Sequence, residues 1–211
     1  MSHSQLVPNQ EFGYLAPQER IARTAEALTA NGMKAFVVAN AVEARKKVFE
    51  LIPNGAEVFN ATSRTLEQIG VDKEIESSGR YHVVRNRLVE LDEEGQERAK
   101  RQLGAAPDVL ISSVHAVTEQ GQLLVASMSG SQLASGVSGA AKVIYVVGTQ
   151  KLVGNLNEGF RRVYEYTLPL ENERALAAYG VNSSVNKLMI INREIFPERI
   201  SVILVNENLG F

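Results

Sequence analysis

Apolar residues alternate along this chain between helical spacing and short continuous runs. Pro17 suits a first helical turn, where its fixed φ and missing N–H do no harm, and Ile21, Ala25 and Leu28 then share one face. Asn31-Gly32 supplies a left-handed stop, and Lys34–Ala39 (KAFVVA) reads as a buried strand. Asn40 caps a second helix with the stripe Ala41, Ala44, Val48 and Leu51, closed by Pro53-Asn54-Gly55. Ala56–Asn60 is a second strand that runs into a turn crowded with hydroxyls at Thr62, Ser63 and Thr65.

The middle of the chain is less regular. Asp72–Ile75 reads as a short helix, Tyr81–Val84 as a strand, and Leu91–Leu103 as a charged helix ended by Gly104 and Pro107. Val109–Ser112 and Leu123–Ala126 read as strands, and Lys142–Gly148 (KVIYVVG) is the strongest of all, a run apolar enough to be covered on both faces. Asn155 caps a helix carrying Leu156, Phe160, Val163 and Tyr164, which Pro169 is expected to stop. Glu171–Ala178 forms another helix ending at Gly180, and Lys187–Ile191 and Ser201–Val205 are the last strands, expected to add an antiparallel edge. Alternation of strands and helices predicts an α/β fold, three α/β/α layers around a mostly parallel sheet. One domain is expected over residues 16–211, after a disordered lead-in over residues 1–15. No internal repeat is evident.

Composition narrows the function classes. The chain has 211 residues, a net charge of −2, 45% hydrophobic and 22% charged residues, which is ordinary globular make-up. No basic stripe marks a nucleic-acid binder, and no apolar run approaches the roughly 18–20 residues that span a bilayer. The first residues carry no secretory pattern, so the expected location is cytoplasmic. Cysteine is absent, which excludes disulfides, thiolate catalysis and cysteine-held zinc or iron–sulfur clusters. With three histidines, a His-rich metal site is not expected.

Candidate chemistry collects between Ala116 and Leu156. Ligands of open parallel sheets bind beyond the carboxyl ends of the strands, and Thr62–Thr65, Glu119–Gly121 with Ser127–Ser135, and Gly148–Asn155 occupy such positions. Backbone N–H groups at Ser129, Gly130 and Ser131, with Gln132 beside them, suit a phosphate or carboxylate because small residues admit close approach. Lys151 adds a positive charge, or is a solvated surface lysine. The hydroxyls at residues 62–65 cap a helix, or bind an anion, or do both. Glu119 is a base, acid or nucleophile at a strand end, or an exposed turn residue. His115 comes near Glu119 only if the segment between them is helical.

Four blocks, in this order and spacing, resemble the LUD-domain family, the lactate-utilisation protein C-like group. They are Thr62–Gly70 (TSRTLEQIG), Ala116–Val125 (AVTEQGQLLV), Lys142–Leu156 (KVIYVVGTQKLVGNL) with Arg162, and Val202–Phe211 (VILVNENLGF). The resemblance implies a fold similar to the NagB/RpiA/CoA-transferase-like superfamily, whose members bind CoA thioesters, sugar phosphates or folates at strand ends. It also implies a non-redox accessory role in lactate (2-hydroxy acid) utilisation beside an iron–sulfur oxidoreductase. Arg162 joins the ligand-binding candidates on this basis, beside Gly121 and Asn155 from the strand-end stretches. CoA transferases of the wider superfamily use a glutamate in an E-x-G turn as nucleophile, and Glu119-Gln120-Gly121 is similar in type. Alternatives are therefore a CoA-thioester transferase or hydrolase acting through Glu119, and a metabolite-sensing module without turnover. Two departures matter. Gly130-Ser131-Gln132-Leu133 stands where many relatives carry a Gly-Asn-Arg-like block, and Ala178–Ser183 lacks the cysteine cluster of longer relatives. Electron transfer then falls to a partner's cofactor, and no intrinsic cofactor is expected. The apolar ending Leu209-Gly210-Phe211 suits packing on the domain or on a second copy of the chain.

Overall fold

In a computed structural model that describes residues 7–91 and 95–211, the strands form two sheets. The strands are β1 (Lys34–Val38), β2 (Glu57–Asn60), β3 (His82–Val83), β4 (Val109–Ser112), β5 (Ala116–Thr118), β6 (Leu123–Ser127), β7 (Lys142–Gly148), β8 (Leu152–Val153), β9 (Lys187–Ile191) and β10 (Ile200–Val205). The helices are α1 (Gln18–Ala30), α2 (Ala41–Leu51), α3 (Arg64–Ile69), α4 (Val71–Ser77), α5 (Val84–Glu90), α6 (Glu97–Ala105), α7 (Leu156–Arg162) and α8 (Leu168–Tyr179).

The larger sheet has the order β1-β10-β7-β4-β2-β3 and every pairing in it is parallel. Its two faces are separate cores. Val58, Ile111, Ile144 and Val205 point toward α2, α3 and α4, while Leu110, Val143, Tyr145 and Leu204 point toward α1, α5 and the second sheet. Both faces being dry explains the apolar run of β7 and the largely apolar, fully buried β10.

The second sheet, β8-β5-β6-β9, is mixed: β6 pairs antiparallel with β5 and β9, and β8 pairs parallel with β5. One side of it joins the main core through Val117, Leu123 and Val125. On the other, Ala116, Leu124 and Val153 are covered by Leu156 and Phe160 of α7.

Three expectations change. The last two strands do not form an antiparallel edge. β9 completes the second sheet, and β10 lies between β1 and β7, parallel to both, because its mostly apolar sequence, every residue of it buried, belongs at the sheet centre. Pro169 does not stop its helix. The helix continues through a π-turn at Val163–Thr167 into α8, and the Glu165 carbonyl, which a proline four residues later cannot bond, accepts the Asn9 N–H at 2.8 Å. Part of the expected lead-in is accordingly fixed: Gln10–Gly13 forms a short 3-10 turn, and Phe12 packs beside α7. Residues 1–6 of that expectation lie outside the described residues. The charged helix expected over 91–103 is α6, with residues 92–94 also outside them.

The return from β9 to β10 is locked by Arg199. Its guanidinium pairs with Glu194 at 2.6 Å and donates to the Ala140, Ser135 and Gly136 carbonyls, all in a buried setting. No described helix is long and apolar enough to cross a membrane.

Candidate functional site

Four neighbouring strands, β10, β7, β4 and β2, release the chain at one edge of the parallel sheet, and a cavity of about 700 Å³ opens there. β2 leads into Ala61–Thr65, β4 into Ser113–His115, β7 into Lys151, and Phe211 arrives after β10. The end of β6 and the residues after it (Ser127, Ser129, Ser131, Gln132) and the stretch from α8 to Val185 supply the opposite wall. The connection from β2 crosses the face carrying α3 and α4, whereas that from β4 passes to the second sheet on the other face. The cavity therefore sits at a switch point of the topology, where open parallel sheets take their ligands.

Lys151 is the group the sequence leaves most ambiguous, and its position is buried, with 2% of its surface exposed. It closes a single 3-10 turn (Thr149–Lys151) immediately after β7. Its Nζ lies 2.9 Å from Thr65 Oγ1 and 3.0 Å from Ser113 Oγ. Among the described residues no carboxylate pairs with it. Burial, reinforced by the Arg162 charge, holds its pKa well below the usual lysine range. The acids in the cavity wall are bound to their own arginines: Glu67 to Arg64 at 2.5 Å, and Glu171 to Arg174 through two bonds of 2.6 and 2.7 Å. Arg85 is more available. It donates to Thr62 Oγ1 at 3.2 Å and stands 4.0 Å from Glu76.

His115 is half-buried in the same wall, and its Nδ1 accepts the Ala126 N–H at 3.0 Å. That bond requires a lone pair on Nδ1, so the ring carries its proton on Nε2. Burial first, then Lys151 and Arg162, push the His115 pKa down to about 3. Arg162 is fully buried. It donates to the Gln150 carbonyl at 3.3 Å, to Thr167 Oγ1 at 3.1 Å and to the His115 carbonyl, with the ring of Tyr166 beneath it.

The cavity brings together Thr62, Ser63, Thr65, Ser129, Ser131, Gln132 and Lys151. Five candidates lie elsewhere. Glu119 is outside the cavity, ion-paired to Arg20 at 2.6 Å and Arg23 at 3.2 Å on α1. It is also out of reach of His115, because the intervening β5 is extended and four residues span about 13 Å. Gly121 is packed on α1, with φ +78° and a virtual Cβ 2.8 Å from the Leu28 nitrogen. Asn155 caps α7 by accepting the Glu158 N–H at 3.1 Å. Arg162 is a tie between segments rather than a cavity residue. Gly130 is the turn glycine of the rim loop, at φ +87°.

The expected N–H cradle is largely used up within its own loop. Gly130 N–H donates to Ser127 Oγ at 2.8 Å and Ser131 N–H to Ser129 Oγ at 3.3 Å, so hydroxyls rather than backbone face the hollow. The sequence reading missed Ser113, Arg85, Arg174 and Thr167. Of these only Ser113 carried a signal, as the residue directly after a confident strand. Among the described residues no group of three or more His, Asp or Glu converges as a metal site.

The family model of the LUD domain matches residues 21–205, and all the strands lie inside that range. The chain belongs to the LUD-domain family. No curated protein matches it. Among solved structures, this LUD domain is similar to a DUF162 family protein from Deinococcus radiodurans, at 14% identity and a TM-score of 0.56, with 92% of this chain and 100% of that one covered. That likeness shows a shared fold. Ribose 5-phosphate isomerase from Plasmodium falciparum is also matched, at 12% identity and a TM-score of 0.38, over 81% of this chain and 95% of that one.

Proposed function

We propose that this LUD domain is the metabolite-binding, cofactor-free component of a lactate (2-hydroxy acid) utilisation system, holding a small anionic metabolite in the strand-end cavity. The observation that supports this reading is the lining: hydroxyls from three separate strand ends and Arg85 meet in one hollow whose carboxylates are already neutralised by Arg64 and Arg174. A carboxylate or phosphate entering there finds donors, and both glutamates of the wall already hold an arginine. Electrons would be carried by an iron–sulfur oxidoreductase partner, since this chain has no cysteine to hold a cluster.

Thermal unfolding in the presence of lactate, pyruvate, inorganic phosphate or CoA tests the reading. A ligand that binds only the folded state stabilises it by about 2.7 kcal/mol at one hundred times its Kd. One of the small anions is expected to raise the melting temperature, and Arg85→Ser to diminish that rise. If none of the four shifts the transition, the proposal is wrong. A shift by CoA alone moves the reading to CoA-thioester chemistry.

A further inference from the structure

We infer that Lys151 captures the carbonyl group of a small anionic carbonyl compound, such as a 2-oxo acid, as a covalent imine within the strand-end cavity. This deepens the metabolite-binding reading and rests on it for the anionic half of the ligand.

The hydrogen-bond inventory around Nζ carries the inference. Thr65 Oγ1 has one hydrogen and two acceptors for it, the Leu209 carbonyl at 3.2 Å and Ser113 Oγ at 3.3 Å, while Ser113 Oγ donates to the Val114 carbonyl at 3.4 Å; either way both oxygens keep a lone pair for Nζ. Both hydroxyl oxygens are thus left as acceptors, and Nζ donates one hydrogen to each. An amine nitrogen has four tetrahedral positions. One holds Cε and two hold these hydrogens, so the fourth has no protein partner. On a neutral amine that position is the nucleophilic lone pair, and the residue lines the cavity.

The surroundings favour the neutral form. No carboxylate stabilises an ammonium there among the described residues, and the buried Arg162 guanidinium opposes one. Desolvation beside a second cation is how a lysine becomes a nucleophile at neutral pH. Other lysines of the fold meet a carboxylate or a backbone carbonyl, as Lys34 does with Glu198 and Lys142 with the Leu51 carbonyl, whereas Lys151 meets only hydroxyls.

The step balances without an oxidant or reductant. Nζ adds to the carbonyl carbon, and one nitrogen proton moves to the oxygen to give a carbinolamine. Loss of water then leaves the carbon–nitrogen double bond. The neutral His115 ring in the same wall, with its proton on Nε2, is a donor available to the departing oxygen.

Trapping with cyanoborohydride tests this on the full chain at pH 7, with pyruvate and dihydroxyacetone phosphate in separate arms that distinguish a carboxylate from a phosphate ligand. Reduction of the imine leaves a mass gain equal to the probe less one oxygen. Proteolytic mapping is expected to place it on Lys151 at least about tenfold above any other lysine, because burial beside Arg162 holds this amine well below the usual lysine range and leaves it the more neutral one at pH 7. Lys151→Met and Lys151→Arg, checked for a cooperative unfolding transition, are expected to lose it. An absent adduct in both arms, or equal labelling across the lysines, overturns the inference. If the probe still raises the melting temperature in that case, the cavity binds its ligand non-covalently and only the imine is wrong. If no shift occurs either, the metabolite-binding reading falls with it.

Discussion

Replacing Lys151 with Met tests the state of the buried amine without any ligand. Met matches the stem in length, keeps the packing volume, and leaves Thr65 and Ser113 bonded to the Leu209 and Val114 carbonyls. In the unfolded chain Lys151 is protonated up to its ordinary pKa of about 10.4. In the fold it is held well below that, so between the two values the unfolded state binds one more proton. Stability must then rise with pH by 2.303RT per proton, about 1.4 kcal/mol per pH unit. Over two units inside that window the wild type gains about 2.7 kcal/mol relative to Lys151→Met. The variant should start out more stable near pH 7 and lose its advantage as the pH approaches 10.

Urea unfolding followed by circular dichroism at half-unit steps from pH 7 to 9.5 measures the difference directly. Other titrations interfere little in this range. The His115 window lies below pH 6.5, and Tyr145, raised by burial, acts only once an unfolded tyrosine ionises near pH 10. Groups exposed in both states cancel between the two proteins. Parallel stability curves for wild type and Lys151→Met would show that the amine keeps its proton in the fold, and would refute both the burial reasoning and its use in imine formation.

Other outcomes follow from the same structure. His115 binds no proton in the fold until about pH 3, while the unfolded residue protonates near 6.5, so wild-type stability should fall as pH drops through that window, by up to about 1.4 kcal/mol per unit. His115→Gln, compared by urea midpoint at pH 6.5 and 4.5, should flatten the fall. Glu119→Ala removes two partly exposed ion pairs, to Arg20 and Arg23, and should change stability by no more than about 1–2 kcal/mol, leaving any ligand-induced melting shift intact. A lost shift would return Glu119 to the site. Gly121→Ala puts a methyl against the α1 backbone at positive φ and should destabilise by about 2 kcal/mol or more, read from the urea midpoint. Glu194→Ala strands the buried Arg199 charge and should cost about 3 kcal/mol in the same assay.

What was legible in the sequence was local or periodic. β7 stood out as a continuous apolar run, and the hydroxyls at Thr62, Ser63 and Thr65 were placed correctly at a strand end because β2 stops at Asn60. The second sheet was only half visible. β5 and β8 have three and two residues, too few to show a period, and their pairing is decided by partners distant in sequence. The passage of a helix through Pro169 depends on Asn9, and no window around the proline contains it. Glu119 was misplaced for a similar reason: it follows a strand of the second sheet rather than the first, so the strand-end rule was applied to the wrong edge. Arg85 had no signature, being one of several basic residues in a charged stretch.

Among the described residues three cations are buried, and comparing them shows why Lys151 matters more than its neighbours. Arg199 is neutralised by Glu194 and bonded to three carbonyls, which pins β10 to the turn at Ser135–Gly139. Arg162 has two carbonyls and a hydroxyl, and it ties α7 to the strand ends. Each would leave several acceptors unsatisfied if removed, so each is explained by holding segments together. Lys151 bonds only to two hydroxyls that have other partners, and it lines the cavity. A methionine there would relieve the desolvation of an amine without orphaning a backbone group. A buried amine that no carboxylate neutralises among the described residues, held only by hydroxyls with other partners and lining the strand-end cavity, is accounted for by what it does to a metabolite there.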